Sequence, residues 1–234
     1  MFYSVDTPID LHGYALDEYL MKGWYRMGQT IFTTGYVEHA GDFFPVHWIR
    51  YDLKKFQRTK KQEQIAKRNK LFTTHTAPLV LSAALENLYT KYRNYIHFDA
   101  APSVRDNLMY MSMEDEDVNI YDSWLMELRL GNQLIAAGVF DKGLESFAGI
   151  KTFYDPDYAK YSPGKYLLLS KIEYAIAQGA AYFYPGYIAE VYTKFHYKME
   201  AAPTALEIYH PQKNSWKPFL MQDFIDWYEG KAVE

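Results

Sequence analysis

Residues 152–198 carry the polar groups that are best placed in this sequence to do chemistry. Thr152-Phe153-Tyr154-Asp155-Pro156-Asp157 ends one stretch, and Ser162-Pro163-Gly164-Lys165 opens a helical pattern shortly after it. A helix that begins beside a strand end presents free backbone N–H groups, which attract phosphate together with the helix dipole. Lys165 adds a positive charge, although the first two residues of this loop fit an ordinary helix cap equally well. The pattern predicts a site for a phosphate-bearing carrier of acyl groups, and hence acyl transfer to an amine.

A basic segment lies upstream, between Arg50 and Lys70. It contains nine basic and two acidic residues, a net charge of +7, whereas the whole chain carries −4. Such a cluster on an acidic protein indicates a phosphate-bearing partner that contacts one face only. A solvated helix face explains the charge equally well.

The composition indicates a folded protein without cysteine chemistry. The chain has 234 residues, of which 49% are hydrophobic and 23% charged, which suits one large domain or two small ones. It has no cysteine, so disulfides, a cysteine nucleophile and cysteine-ligated clusters are excluded, and no histidines stand at metal-ligand spacing. We therefore expect no cofactor and no metal. Because neither a secretory signal nor an apolar run of about 18 residues is visible, we expect a cytoplasmic protein with no membrane partner.

The pattern of apolar residues predicts which elements position these groups. In the first part of the chain we expect strands over 30–34 and 43–53 and helices over 57–70 and 78–97. A hairpin and a third antiparallel strand should follow, then a helix from Ser162 to Gly179 and a buried strand. One or two helical turns and two closing strands should complete the chain. The expected ranges after the first four are 121–130, 133–140, 144–154, 180–187, 189–198, 206–210 and 215–219.

This order of elements predicts an α+β fold with a mixed, mainly antiparallel sheet flanked by helices. It is the order of the GNAT-type acyltransferase fold. The only candidate boundary is a weak composition shift near residue 75. Residues 1–75 are an aromatic and basic segment that contributes the first strands and a basic helix, and 76–234 form the transferase core; the two could form one continuous domain.

Several motifs in this order resemble one known family, the aminoacyl-tRNA–protein transferases. These arginyl and leucyl transferases tag protein N-termini for degradation. The fragments that carry the resemblance are Tyr19 to Gly28, the basic stretch Arg50 to Asn69, Leu88-Tyr89-x-x-Tyr92 with His97, Gly131-x-Gln133-Leu134-Ile135-Ala136 followed by Asp141, and Thr152 to Asp157. Each fragment alone is weak, but together they run through most of the chain.

The resemblance implies attack of a protein's N-terminal amine on the ester that joins an amino acid, arginine or leucine, to tRNA. A carboxylate near the amine would orient it and take a proton, and Asp141 and Glu127 are the candidates. A surface ion pair or a turn explains either carboxylate as well. Tyrosine hydroxyls or backbone N–H groups would stabilise the oxyanion, and Tyr154 is the candidate tyrosine.

The implied partners are an aminoacyl-tRNA and the N-terminus of an acceptor protein, with no DNA. The residues expected to bind these substrates in the cleft are Asp155, Ser162, Gly164, Lys165, Tyr184, Tyr187 and Lys198. The basic residues expected to contact tRNA phosphates are Lys54, Lys55, Arg58, Lys60, Lys61, Lys67 and Arg68.

Two departures from the family pattern leave alternatives open. The family's cysteine cluster is absent from the region that reads Gly35 to Trp48, and its Ser-Leu-Gly loop becomes Ser162-Pro163-Gly164. An acyl-CoA N-acetyltransferase would use the same loop, but its usual Arg/Gln-x-x-Gly-x-Gly/Ala pattern is missing. A non-catalytic relative that binds tRNA or N-terminal peptides is the other alternative.

Overall fold

A nine-stranded mixed sheet organises the chain in a computed structural model that describes residues 3–98, 100–111 and 117–219. The helices are α1 (Tyr14–Met21), α2 (Lys60–Arg68), α3 (Ala83–Tyr95), α4 (Val104–Leu108), α5 (Pro163–Ala177) and α6 (Tyr197–Ala201). The strands are β1 (Tyr3–Asp6), β2 (Tyr25–Met27), β3 (Thr30–Thr34), β4 (Tyr36–His39), β5 (Asp42–Asp52), β6 (Thr73–Pro78), β7 (Tyr110–Met111), β8 (Asp117–Val118), β9 (Ser123–Leu130), β10 (Gln133–Lys142), β11 (Ser146–Tyr154), β12 (Tyr182–Ala189), β13 (Leu206–His210) and β14 (Ser215–Pro218).

The main sheet confirms the predicted fold class. Its strands run in the order β14-β13-β5-β12-β11-β10-β9-β6, with β4 paired to β5, and every pair except β11 with β12 is antiparallel. The predicted GNAT-like succession of three antiparallel strands, helix and strand is present as β9, β10, β11, α5 and β12. β5 lies between β12 and β13, so the N-terminal segment contributes an interior strand to this sheet.

The parallel pair of β11 and β12 separates after three residues. Ser146, Phe147 and Ala148 pair with Tyr182, Phe183 and Tyr184, and β11 then continues to Tyr154 without β12 beside it. Pro185 lacks a backbone N–H to donate, and Gly186 adopts φ 95, a left-handed conformation that favours glycine. The pairing of β12 with β5 also shifts register between Phe183 and Gly186. The Pro-Gly step therefore turns β12 away from β11 and opens a gap in the sheet.

Helices cover both faces of the sheet beside this gap. α5 buries Leu168, Leu169 and Ile172 on one face, and each fully buried side chain of this size contributes roughly 1.5 to 3 kcal/mol. Its end at Gly179, φ 79, follows the sequence prediction, but Ile176, expected in the core, is 39% exposed. α3 packs on the opposite face against β10 and β11. No helix in the described part of the chain combines the length and the apolar character needed to cross a bilayer.

Candidate active site

The gap between β11 and β12 contains a cavity of about 410 Å³, which we call the first cavity. Aromatic rings form most of its wall, and among its described lining residues there is no aspartate or glutamate. Four lysines line it: Lys151, Lys171, Lys194 and Lys198. A cavity with several amines and no carboxylate is suited to an anionic ligand.

Lys171 reaches this cavity from α5 through the protein interior. The residue is 2% exposed, and its Nζ donates a hydrogen bond to Thr152 Oγ1 at 3.0 Å. Gly138 and Gly149 make room for it, because a Cβ on either would lie 3.4 or 3.7 Å from the Lys171 amine. Burial lowers the pKa of Lys171 from 10.5 to about 7, since no charge compensates the amine.

Lys198 reaches the same cavity from α6. Its half-buried side chain donates from Nζ to the Tyr187 carbonyl oxygen at 3.2 Å. A Cβ at Gly186 would lie 3.3 Å from this Nζ, so the glycine gives the lysine space as well as turning the strand. Burial, and then the charge of Lys171, lower the pKa of Lys198 to about 7.

Lys151 and Lys194 add two further amines to the wall. The Lys151 amine lies 5.2 Å from the centroid of the Tyr89 ring, and burial followed by the charge of Lys194 lowers its pKa to about 8. The Lys194 amine lies 3.6 Å from the Phe98 ring centroid, and burial lowers its pKa too. Aromatic faces stabilise these cations in place of carboxylates.

A second cavity of about 300 Å³ adjoins the first at the beginning of α5. Tyr92, Thr152 and Tyr197 line both cavities and mark the junction between them. Four of the residues predicted from the sequence lie together in the second cavity: Tyr154, Ser162, Gly164 and Lys165. Two others, Tyr187 and Lys198, line the first.

The start of α5 differs from the helix cap that its sequence suggests. Ser162 is the N-cap residue, but it adopts a left-handed conformation, φ 56 and ψ 51, and its side chain makes no capping hydrogen bond. The expected Ser162 cap is therefore wrong. The first N–H groups of this helix keep their hydrogen-bonding capacity beside the cavity that Gly164 and Lys165 line.

Two other predicted binding residues do not line either cavity. Tyr184 is buried behind the sheet, where Arg50 Nη1 donates to its hydroxyl at 3.3 Å and its ring packs on Trp216. Asp155 is also buried; it accepts from the Asp157 backbone N–H at 3.0 Å and pairs with Lys91 at 2.6 Å. Both contacts stabilise the loop and the sheet, so these two residues support the site from outside its walls.

Neither candidate carboxylate lines a cavity. Asp141 is fully buried and pairs with Arg26 Nη1 at 2.8 Å, while Ser123 Oγ donates to the same oxygen at 2.6 Å. Burial raises the pKa of Asp141, and the charge of Arg26 opposes that rise. Glu127 pairs with Arg129 at 2.7 Å on β9. In this structure, therefore, neither is placed to contact an amine in the cavities.

The basic segment adjoins the second cavity, and its charges fall into two groups. Glu200 accepts from Lys61 Nζ at 2.6 Å and from Lys165 Nζ at 3.4 Å, so α2 lies next to the start of α5. Lys55 and Arg58 also have acidic partners, Glu207 and Glu173. The exposed bases with no acidic partner among the described residues are Lys54, Lys60, Lys67 and Arg68.

Sequence reasoning missed the lysines of the first cavity other than Lys198. Lys171 carried a usable signal, because it lies three positions after Leu168 and just before Ile172, on the stripe of α5 that packs against the sheet. A charged residue on such a stripe is costly and indicates a special environment. Lys151 and Lys194 carried no comparable signal.

Comparisons with known proteins agree with this site. The family described as "Arginine-tRNA-protein transferase, C terminus" matches residues 85–208, more than half of the chain. An aspartate/glutamate leucyltransferase from Pseudomonas entomophila is 28% identical over 211 residues, which covers 89% of this chain and 85% of that protein. A protein of the same name from Saccharophagus degradans is 30% identical over 175 residues, covering 74% of this chain and 71% of its own length.

A solved structure gives a weaker similarity. The C-terminal domain of a putative lysylphosphatidylglycerol synthetase from Agrobacterium fabrum aligns with 62% of this chain and 49% of its own, at 10% identity and a TM-score of 0.46, which is too low to support an inference. The sequence matches are sufficient alone, since they span α3 to β13 and most of the relatives' length. The chain belongs to the arginine-tRNA-protein transferase family and is an aminoacyltransferase, as its motifs predicted.

Proposed function

We propose that this protein transfers leucine from leucyl-tRNA to the N-terminal amine of proteins that begin with aspartate or glutamate. The relatives named aspartate/glutamate leucyltransferase support the donor and the acceptor. The observation that carries the proposal is the pair of adjoining cavities, which have lysines and aromatic rings in their walls and no carboxylate among the described lining residues. One cavity would hold the end of the tRNA, and the other the acceptor.

The chemistry of the walls favours leucine over arginine as the donor. A buried guanidinium needs a carboxylate or several carbonyl oxygens to replace its hydration, and bidentate carboxylate pairs are its strongest partners. The described walls contain no carboxylate, and the lysines would repel an arginine side chain. Leucine instead would bury its side chain against the apolar wall residues Ile96, Ile150 and Leu168.

The second cavity suits the 3′ end of the tRNA. The N–H groups at the start of α5 and the Lys165 amine would bind its terminal phosphate, and the Tyr154 ring would stack on the terminal adenine. The exposed bases of α2 lie on the same side, since Lys61 and Lys165 share Glu200. Those bases would contact phosphates further along the acceptor stem.

The reaction then takes place at the junction of the cavities. The aminoacyl ester is already activated, so placing the amine against its carbonyl carbon supplies much of the acceleration. The amine attacks that carbon, an oxyanion forms, and the 3′-oxygen of the tRNA leaves with a proton. The Tyr197 hydroxyl would donate to the oxyanion, because burial raises the pKa of Tyr197 and keeps the hydroxyl protonated.

We assign Asp141 a supporting role in this scheme. Its ion pair with Arg26 fixes an arginine that lines the first cavity and whose Nε also donates to the Gly28 carbonyl at 2.8 Å. Asp141 would thus hold the wall against which the acceptor binds. Glu127, paired with Arg129 on β9, has no assigned role in the reaction.

The test is transfer of labelled leucine or arginine from charged tRNA to synthetic peptides. Peptides that begin with Asp or Glu should accept leucine, whereas peptides that begin with Lys or Arg should not, and arginyl-tRNA should be a poor donor to all of them. Efficient arginine transfer would contradict the donor assignment. Equal leucine transfer to basic and acidic N-termini would contradict the acceptor assignment.

A further inference from the structure

Lys171 and Lys198 form a pair of inward-facing amines with spare hydrogen-bonding capacity. Each ammonium carries three donors, yet Lys171 Nζ has one printed acceptor, Thr152 Oγ1, and Lys198 Nζ has one, the Tyr187 carbonyl oxygen. Neither has a carboxylate within ion-pair distance among the described residues, and the two amines depress each other's proton affinity. Two such amines in one cavity are unfavourable without an anion.

The surrounding backbone is adapted to hold these amines in place. Gly138 and Gly149 leave space for the Lys171 side chain, and Gly186 leaves space for Lys198. A Cβ at Gly186 would also come within 3.3 Å of the Tyr25 ring, so the wall opposite the lysine is closely packed. The two amines are therefore positioned by the fold.

We propose that Lys171 and Lys198 bind the side-chain carboxylate of the acceptor's first residue and so select proteins that begin with aspartate or glutamate. This inference rests on the proposed function. The geometry links the carboxylate to the reaction, because Thr152 accepts from Lys171 and also lines the junction of the two cavities. A carboxylate at Lys171 leaves the α-amine, one short side chain away, at that junction.

The position of the lysines favours a carboxylate over a tRNA phosphate. Lys171 is deeply buried and lies in the first cavity, beyond the junction from the start of α5. The phosphate-binding features, namely the helix N–H groups and Lys165, lie in the second cavity. A carboxylate has two oxygens that can accept from both lysines, and it is small enough to enter a closed, aromatic-walled space.

Matched substitutions on α5 test this assignment. Lys171→Gln removes a charge in the first cavity, and Lys165→Gln removes one in the second, on the same helix. Fluorescence polarisation would measure binding of a labelled peptide beginning with Asp and of the same peptide beginning with Asn, and filter binding would measure affinity for deacylated tRNA. We expect Lys171→Gln to lower the Asp-over-Asn preference about 10- to 100-fold with unchanged tRNA affinity, since hydrogen bonds to charged groups have this strength. Lys165→Gln should weaken tRNA binding and leave the Asp-over-Asn preference unchanged.

A second variant and a proton count make the test independent of one substitution. Lys198→Gln should reduce the same preference, which keeps the inference testable if Lys171→Gln does not fold. Calorimetry at pH 8 in buffers of different ionisation enthalpy should show proton uptake when wild type binds the Asp peptide, because the carboxylate restores charge to the lysines. A purely structural lysine would give no uptake.

The outcomes separate this inference from the proposed function. Absence of leucine transfer by wild type would contradict the proposed function, while the binding preference would still decide the role of the lysines. An unchanged Asp-over-Asn preference in both lysine variants would overturn the inference. A loss of tRNA affinity in Lys171→Gln as large as in Lys165→Gln would overturn it too, and would assign the first cavity to phosphate.

Discussion

Replacing Lys171 with methionine should stabilise the protein at neutral pH, and the gain should shrink as the pH rises. Burial lowers the pKa of Lys171 from 10.5 to about 7. Each pKa unit corresponds to about 1.4 kcal/mol, so the protonated amine costs the fold at most about 5 kcal/mol. Methionine keeps the apolar stem and removes the charge, although the hydrogen bond to Thr152, worth about 1 kcal/mol, is lost. We expect the variant to be about 2 to 4 kcal/mol more stable than wild type at pH 7.

The pH dependence identifies the cause of that gain. Between about pH 7 and 10.5 the unfolded chain binds a proton that folded Lys171 does not hold. The stability of wild type therefore rises with pH in this window, by up to about 1.4 kcal/mol per pH unit from this residue, and the contribution is lost as the pH falls toward 7. The methionine variant lacks this dependence. The difference between the two proteins should thus fall by about 2 to 3 kcal/mol from pH 7 to pH 9.

Urea unfolding at pH 7, 8 and 9, followed by tryptophan fluorescence, measures both quantities. Lys165→Met is the matched control, because Lys165 lies on the same helix but is exposed and paired with Glu200. Its stability should differ from wild type by a similar amount at all three pH values. If Lys171→Met is less stable than wild type at pH 7, or if its difference from wild type does not change with pH, the argument that Lys171 is an uncompensated buried amine is refuted.

Charge reversal to Glu at the exposed bases without acidic partners, Lys54, Lys60, Lys67 and Arg68, should weaken tRNA binding by more than about 100-fold and lower the salt slope by about 0.7 to 0.9 per lost phosphate contact. Filter binding across a salt series measures this, and unchanged affinity would remove the basic segment from the tRNA site. Tyr197→Phe should lower kcat about 10- to 1000-fold with little change in KM or in thermal stability; an unchanged kcat would place the oxyanion donor elsewhere. Asp141→Asn should lower the free energy of unfolding by about 3 to 5 kcal/mol, because it leaves its buried arginine partner uncompensated. Full stability with lost activity would instead support direct contact between Asp141 and the amine.

Sequence reasoning worked best where local patterns determine structure. The hairpin of β9 and β10 was predicted from Gly131-Asn132, and α5 from a Pro near its first turn and Gly179 after its last. The grouping of Tyr154 with Lys165 also followed from sequence, since a strand end and a helix start separated by a short loop must lie close together. These are short-range consequences of chain geometry.

The features that sequence reasoning missed depend on long-range pairing. The burial of Asp141 follows from its pairing with Arg26, which lies 115 residues earlier in the chain. The neutralisation of Lys55 by Glu207 joins residues that are 152 positions apart. No local pattern records which distant charge will face a given residue, so a basic run in the sequence overstates the charge left free for a ligand.

The gap between β11 and β12 links the fold to the energetics of the site. Pro185 removes a donor and Gly186 bends the strand, so the sheet loses backbone hydrogen bonds where it would otherwise continue. The cavity then contains amines whose burial is itself unfavourable. Both costs lie at one place, which is where a ligand that completes the hydrogen bonds and the charge balance gains most. An acidic acceptor peptide should therefore raise the melting temperature of wild type more than that of Lys171→Met, because in the variant one of the two unfavourable charges is already gone.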